Sequence, residues 1–123
     1  MIPRNELEPS SYRVDCTHFV IDNLGLVLPK DEVPGDFLDD FVSSLPGSEN
    51  GQGVCVVRYN QRPYLRHWGL AVGERVISKW GRGPILEHDI DEVPELWKTP
   101  YGAVKFKLPD EYHPRVLALF GRR

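Results

Sequence analysis

Cysteine is scarce in this sequence: 123 residues contain two, Cys16 and Cys55. That excludes a disulfide-dense secreted scaffold, which needs several bridges to make up for a small core. The zinc spacings C-x-x-C and H-x-x-x-H are absent too, so no metal and no other cofactor is expected. Long apolar runs are missing, and nothing approaches the roughly 20 residues that span a bilayer. Residues 1–15 lack the apolar stretch of a signal peptide, so the chain is expected to be cytoplasmic as synthesised, with a phage or a secretion system as its route outward. Without export, both cysteines are expected as free thiols.

Positive charge is not in excess. Fifteen Lys and Arg stand against eighteen Asp and Glu, for a net charge of −3 and a pI near 5.8. Nucleic acid and anionic membrane are therefore not expected partners. A phosphate-cradling loop is lacking as well, because Gly81-Arg82-Gly83-Pro84 has neither the spacing nor the following helix.

What remains is an ordinary globular composition, 41% hydrophobic and 27% charged. It is enough for one domain over residues 1–123 with its own core. Eleven prolines and eleven glycines imply short connections between elements.

Residues 1–14 read as an extended lead-in, since Pro3, Pro9 and Ser10-Ser11 oppose a helix. Cys16, Phe19, Val20 and Leu24 fall at i, i+3, i+4 and i+8 and predict a helix over 16–25, with Asp15 as N-cap and Gly25 as stop. Phe37, Leu38, Phe41, Val42 and Leu45 predict a second helix over 35–45, broken by Pro46-Gly47 and followed by a loop at 48–52. The pattern then changes to strands at 54–59, 68–72, 75–80 and 101–108, with turns at 60–63, Gly73-Glu74 and 81–84. Helices first and an antiparallel sheet afterwards define an α+β fold.

Cys16 is the first candidate for chemistry. The start of a helix offers unpaired backbone N–H groups and a positive dipole end, and both favour a thiolate. The competing reading is a small buried apolar residue. His67, at the mouth of a strand, is a candidate general base, against the plain reading of a satisfied core or surface histidine.

The words around these residues carry a resemblance. Asp15-Cys16-Thr17-His18-Phe19-Val20, followed by Leu24-Gly25-Leu26-Val27-Leu28-Pro29, resembles the nucleophile helix of the NlpC/P60 cysteine peptidases, whose pattern is Asp-Cys-Ser-Gly-Phe-Val and then Leu-Gly-Ile-x-Leu-Pro. His67-Trp68-Gly69-Leu70-Ala71-Val72-Gly73-Glu74-Arg75-Val76-Ile77 resembles that family's histidine strand pair, in the same order. From the first word to the second the resemblance spans residues 15–77, about half of the chain. The resemblance implies a papain-like fold, Cys16 as nucleophile, His67 as base and a polar residue on the next strand to orient the imidazole. That third position falls on Ser78, where the family commonly has His, Asn or Gln; His88 competes for the role. Lys79 is adjacent but belongs to the other side of its strand. Thr17-His18 replaces Ser-Gly, which places His18 at the cleft rim or simply in solvent. Tyr12 is similar to an upstream tyrosine that lines the cleft in several relatives, with core packing as its other reading.

Cys55, between valines, reads as buried and inert, and two of Trp68, Trp80 and Trp97 read as core. The implied activity is thiol-dependent amide hydrolysis through a thioester, with a peptide or a peptidoglycan stem as substrate. The alternative is an inactive relative that binds a partner protein or ligand through the same cleft.

Overall fold

The computed structural model describes residues 1–7, 15–45, 52–61, 65–81, 83–93 and 102–121. Tyr12, Pro46-Gly47, most of the loop expected at 48–52, residues 62–63 of the expected turn, Arg82, Trp97 and the terminal arginines lie outside them.

The first helix, α1 (Cys16–Leu24), begins where the sequence predicts. Asp15 is the N-cap, and its carboxylate accepts from the Thr17 and His18 amides at 3.0 Å each. This satisfies two donors that a helix start otherwise leaves unpaired. Gly25 ends the helix in the left-handed region (φ 70°), where a side chain is disfavoured. Phe19, Val20, Ile21 and Leu24 are all buried, and each contributes roughly 1.5–3 kcal/mol of apolar burial. The second helix, α2 (Pro34–Ser43), starts on a proline suited to a first turn. It buries Leu38 and Val42, while Leu45 lies beyond its end and still packs on the core.

A single antiparallel sheet follows. Its strands are β1 (Ile2–Pro3), β2 (Val54–Gln61), β3 (Leu65–Val72), β4 (Arg75–Lys79), β5 (Ile85–Asp89) and β6 (Gly102–Lys107), in the order β1-β5-β4-β3-β2-β6. The β2–β3 ladder runs on to Gln61↔Leu65, so Asn60 and Gln61 are strand rather than turn. His67 consequently lies inside β3, paired with Tyr59, and not at its mouth. β5 is not among the expected strands. Its ladder with β4 is supported by Glu87, which is 1% exposed and accepts from Arg4 at 2.7 Å and Arg75 at 3.2 Å. A third helix, α3 (His113–Phe120), is also unexpected. It starts with Pro114 in its first turn and buries Val116, Leu119 and Phe120.

Both faces of the sheet are covered. On one side Val54, Val56, Trp68, Leu70, Ile77, Ile85 and Phe106 meet all three helices. On the other, Cys55, Val57, Tyr59, Ala71 and Val76 pack with Val93, Trp80 and Ile90. Period-two alternation along β2 and β3 divides the residues between these layers, which is why 54–57 reads as a continuous apolar run. The described residues form an α+β arrangement of three α-helices and a six-stranded antiparallel sheet.

Candidate thiol and imidazole sites

Cys16 occupies the first position of α1 and is half-buried against the helix-side layer. Its sulphur meets the edge of β3 in a specific way. The Gly73 amide points toward β2, donating to the Gly53 carbonyl at 2.9 Å. By alternation the Trp68 amide points toward β4. The β3–β4 ladder, however, ends at Leu70↔Ile77, and the Trp68 amide instead acts on the Cys16 thiol, favouring its ionised form. The Thr17 hydroxyl lies 3.7 Å from the same sulphur. Burial pushes the thiol above its ordinary pKa; the Trp68 and Thr17 hydrogen bonds pull it down and the Asp15 carboxylate adds to the rise. The net result is a protonated thiol at neutral pH.

His67 is one residue away along β3 and faces the other layer. It is 3% exposed, and its ring stacks on the Trp80 indole with centroids 3.5 Å apart and planes 12° apart. Tyr59 tilts against it at 5.7 Å. Burial, with a smaller contribution from His88, lowers its pKa to about 3. This imidazole is therefore neutral at physiological pH. The Cys16 sulphur lies within hydrogen-bond distance of the Thr17 hydroxyl, while the His67 ring lies in the other layer, stacked on Trp80.

The two residues that compete for the orienting role turn out to bind each other. His88 Nδ1 donates to the Asp89 carbonyl at 2.7 Å, since a carbonyl only accepts. In the neutral ring Nε2 is then the acceptor, and the Ser78 hydroxyl donates to it at 3.2 Å. Both residues are fully buried on the His67 side of the sheet. Lys79 alternates away from Ser78, as its strand position requires, and donates from Nζ to the Gly83 carbonyl at 2.8 Å.

His18 does not join the thiol. Its Nδ1 donates to Asp15 Oδ1 at 3.0 Å and so reinforces the helix cap. Burial opposes ionisation of Asp15, but its bonds from the His18 amide and ring and from the Thr17 amide hold the carboxyl below its usual range. Tyr12 lies outside the described residues. Cys55 is buried and free, as the sequence implies.

Sequence reasoning misses the contact between His67 and Trp80, although its signal was available. A two-residue turn at Gly73-Glu74 pairs Val72 with Arg75; counting outward sets position 80 opposite position 67. It also misses Arg58, whose guanidinium carbon lies 5.9 Å from the Trp68 ring and 5.1 Å from the Phe106 ring. Arg58 and Arg66 both bind the Asp39 carboxylate of α2, the former at 2.8 Å, and so tie that helix to the sheet.

Among the described residues no three His, Cys, Asp or Glu side chains form a metal-binding group. No helix among them is long and apolar enough to cross a membrane. No family model, no curated protein and no solved structure matches the chain.

Proposed function

We propose that this chain is a ligand-binding domain on an NlpC/P60-like frame, in which Cys16 and His67 do not operate as a catalytic pair. One observation carries the reading: Cys16 packs in the layer that meets the helices, while the His67 ring is buried in the other layer, stacked on Trp80. A general base must lie within hydrogen-bond reach of its nucleophile and titrate near the working pH. A thiol pushed up by burial and an imidazole held neutral by burial oppose the thiolate–imidazolium state. The resemblance supplies the ligand class, a peptide with a cell-wall stem peptide as the first choice. The start of α1, with Asp15, Cys16 and His18, is the surface that meets it.

A second reading keeps the thiol hydrolase. It is favoured by the packing of α1, which begins at Cys16, on the strand that carries His67, and by the pull of the Trp68 amide toward the ionised thiol. In this reading His67 leaves Trp80 and takes the thiol proton. The thiolate then attacks an amide carbonyl, backbone N–H groups hold the oxyanion, the amine leaves with the proton that His67 returns, and water hydrolyses the thioester to a carboxylic acid and the free thiol.

The two readings separate when a soluble stem peptide is incubated with the protein, with amide NMR shifts and product mass spectra followed together. Shifts centred on Asp15, Cys16 and His18 without cleavage support the binding domain. Cleavage that disappears in both Cys16→Ala and His67→Ala establishes the hydrolase. Neither shifts nor cleavage removes this ligand class.

A further inference from the structure

On the helix side of the sheet two arginines share a single acid. Arg58 of β2 and Arg66 of β3 each bond through Nη1 to one oxygen of the Asp39 carboxylate on α2. Among the described residues Asp39 is the acid partner of both guanidinium groups, so two positive charges stand against one negative. The cluster keeps a positive charge in a chain whose net charge is −3. Arg58 is also short of acceptors. Its side chain is 23% exposed, its guanidinium packs against the Trp68 and Phe106 rings, and its buried Nε has no hydrogen-bond partner among the described residues. Buried donors are nearly always paired, and an arginine carries five of them. Arg66 is 44% exposed and has no further partner among the described residues. Register sets Arg58 opposite Trp68 and Arg66 opposite Asn60, so both arginines lie on the face that carries Trp68 and meets α1. Trp68 touches both places: its ring packs on Arg58, and its amide acts on the Cys16 thiol.

We propose that Arg58 and Arg66 form a subsite that takes a carboxylate of a peptide ligand. Its ligand class rests on the peptide-binding reading of the start of α1; its charge preference rests on the arginines themselves. Charge selects the ligand. One carboxylate brings the cluster to neutrality, whereas a phosphate dianion would carry it past neutrality to a net negative charge. Geometry agrees, because a guanidinium presents its N–H donors in a planar fork that fits a carboxylate. Asp39 holds both forks against α2, so they have little side-chain freedom left to lose on binding. The Trp68 and Phe106 rings keep water from one side of Arg58, which strengthens its attraction for an anion.

Three acetylated tetra-alanine peptides test this, with binding followed by amide NMR shifts of the whole chain. The first has a free C-terminal carboxylate, the second a C-terminal amide, and the third is the amide with glutamate as its last residue. At least one charged peptide is expected to shift Arg58, Arg66 and Trp68 and to bind at least about tenfold more tightly than the neutral one. The tighter of the two charged peptides identifies the source of the carboxylate, a chain terminus or an acidic side chain. In Arg66→Gln the preference for charge is expected to fall below about twofold, while shifts at Asp15, Cys16 and His18 common to all three peptides remain. The comparison of charged with neutral peptide in the wild type decides the question even where a variant fails to fold. Three results overturn the subsite: equal affinity for charged and neutral peptides, a charge preference that survives in folded Arg66→Gln, or shifts from the charged peptides that centre away from Arg58 and Arg66. The underlying reading fails separately. Shifts at the arginines with no response at Asp15, Cys16 and His18 leave the carboxylate site standing and remove the peptide surface on α1, whereas no binding of any peptide overturns both.

Discussion

Two single positions carry unusual local demands. Gly69 lies between His67 and Ala71 on the second face, and a Cβ built there meets Val76 Cγ1 at 2.9 Å, Ser78 Cβ at 3.0 Å and the Ile77 carbonyl at 3.2 Å. None of these is the far end of a flexible chain. Gly69→Ala is therefore expected to lower the unfolding free energy in urea by about 1–3 kcal/mol; an unchanged midpoint would show that β3 and β4 are less tightly apposed than described. Glu87 is a second such position, buried between Arg4 and Arg75, with Arg4 also bonded to the Leu119 carbonyl of α3 at 2.7 Å. Removing one partner of a buried ionic group leaves the others uncompensated, and Glu87→Ala is expected to cost about 3 kcal/mol by the same measurement. A cost below about 1 kcal/mol would place this cluster with ordinary surface pairs.

At the level of elements, α1 illustrates how far local signals reach. Its start, its cap and its stop were all legible, because Asp15 and Gly25 act on the backbone next to them. Asp15→Ala is expected to lower the melting free energy by about 1 kcal/mol, with loss of helical circular dichroism confined to the first turn. No change would mean that tertiary packing alone holds the helix. The strands were legible where apolar residues dominate. β5 was hidden because Glu87 and His88 are buried through partners far away in sequence, Arg4, Arg75 and Ser78. α3 carries its own signals in Pro114 and in the spacing of Val116, Leu119 and Phe120, over a helix of only two turns. The facing of His67 was legible in principle. Trp68, Leu70 and Val72 alternate along β3 and pack in the layer that meets the helices, which turns His67 away from Cys16. A motif match brings two residues together in sequence order, but it does not state which face of a strand each one occupies.

For the molecule as a whole, the two-layer arrangement ties stability to pH. His67 is held neutral in the folded state, with its pKa lowered to about 3, and His88 is shifted in the same direction. Unfolded histidines titrate near 6.5, so below that pH the unfolded chain binds more protons than the folded one. Their contribution to stability is thus complete above about pH 6.5 and is lost as pH falls, by up to ~1.4 kcal/mol per pH unit for each ring that stays neutral. Urea melts at successive pH values are expected to show this loss beginning near neutrality and to lose its steeper part in His67→Gln; a flat profile down to about pH 5 would contradict the buried neutral rings. The central claim, that the two faces of β3 separate Cys16 from His67, is tested most directly by the rate of Cys16 alkylation with iodoacetamide as a function of pH, in the wild type and in His67→Gln. The expected result is a rate that rises only in the alkaline range and is the same in both proteins. A fast reaction at about pH 6 that vanishes in the variant would contradict it and establish a thiolate–imidazolium pair.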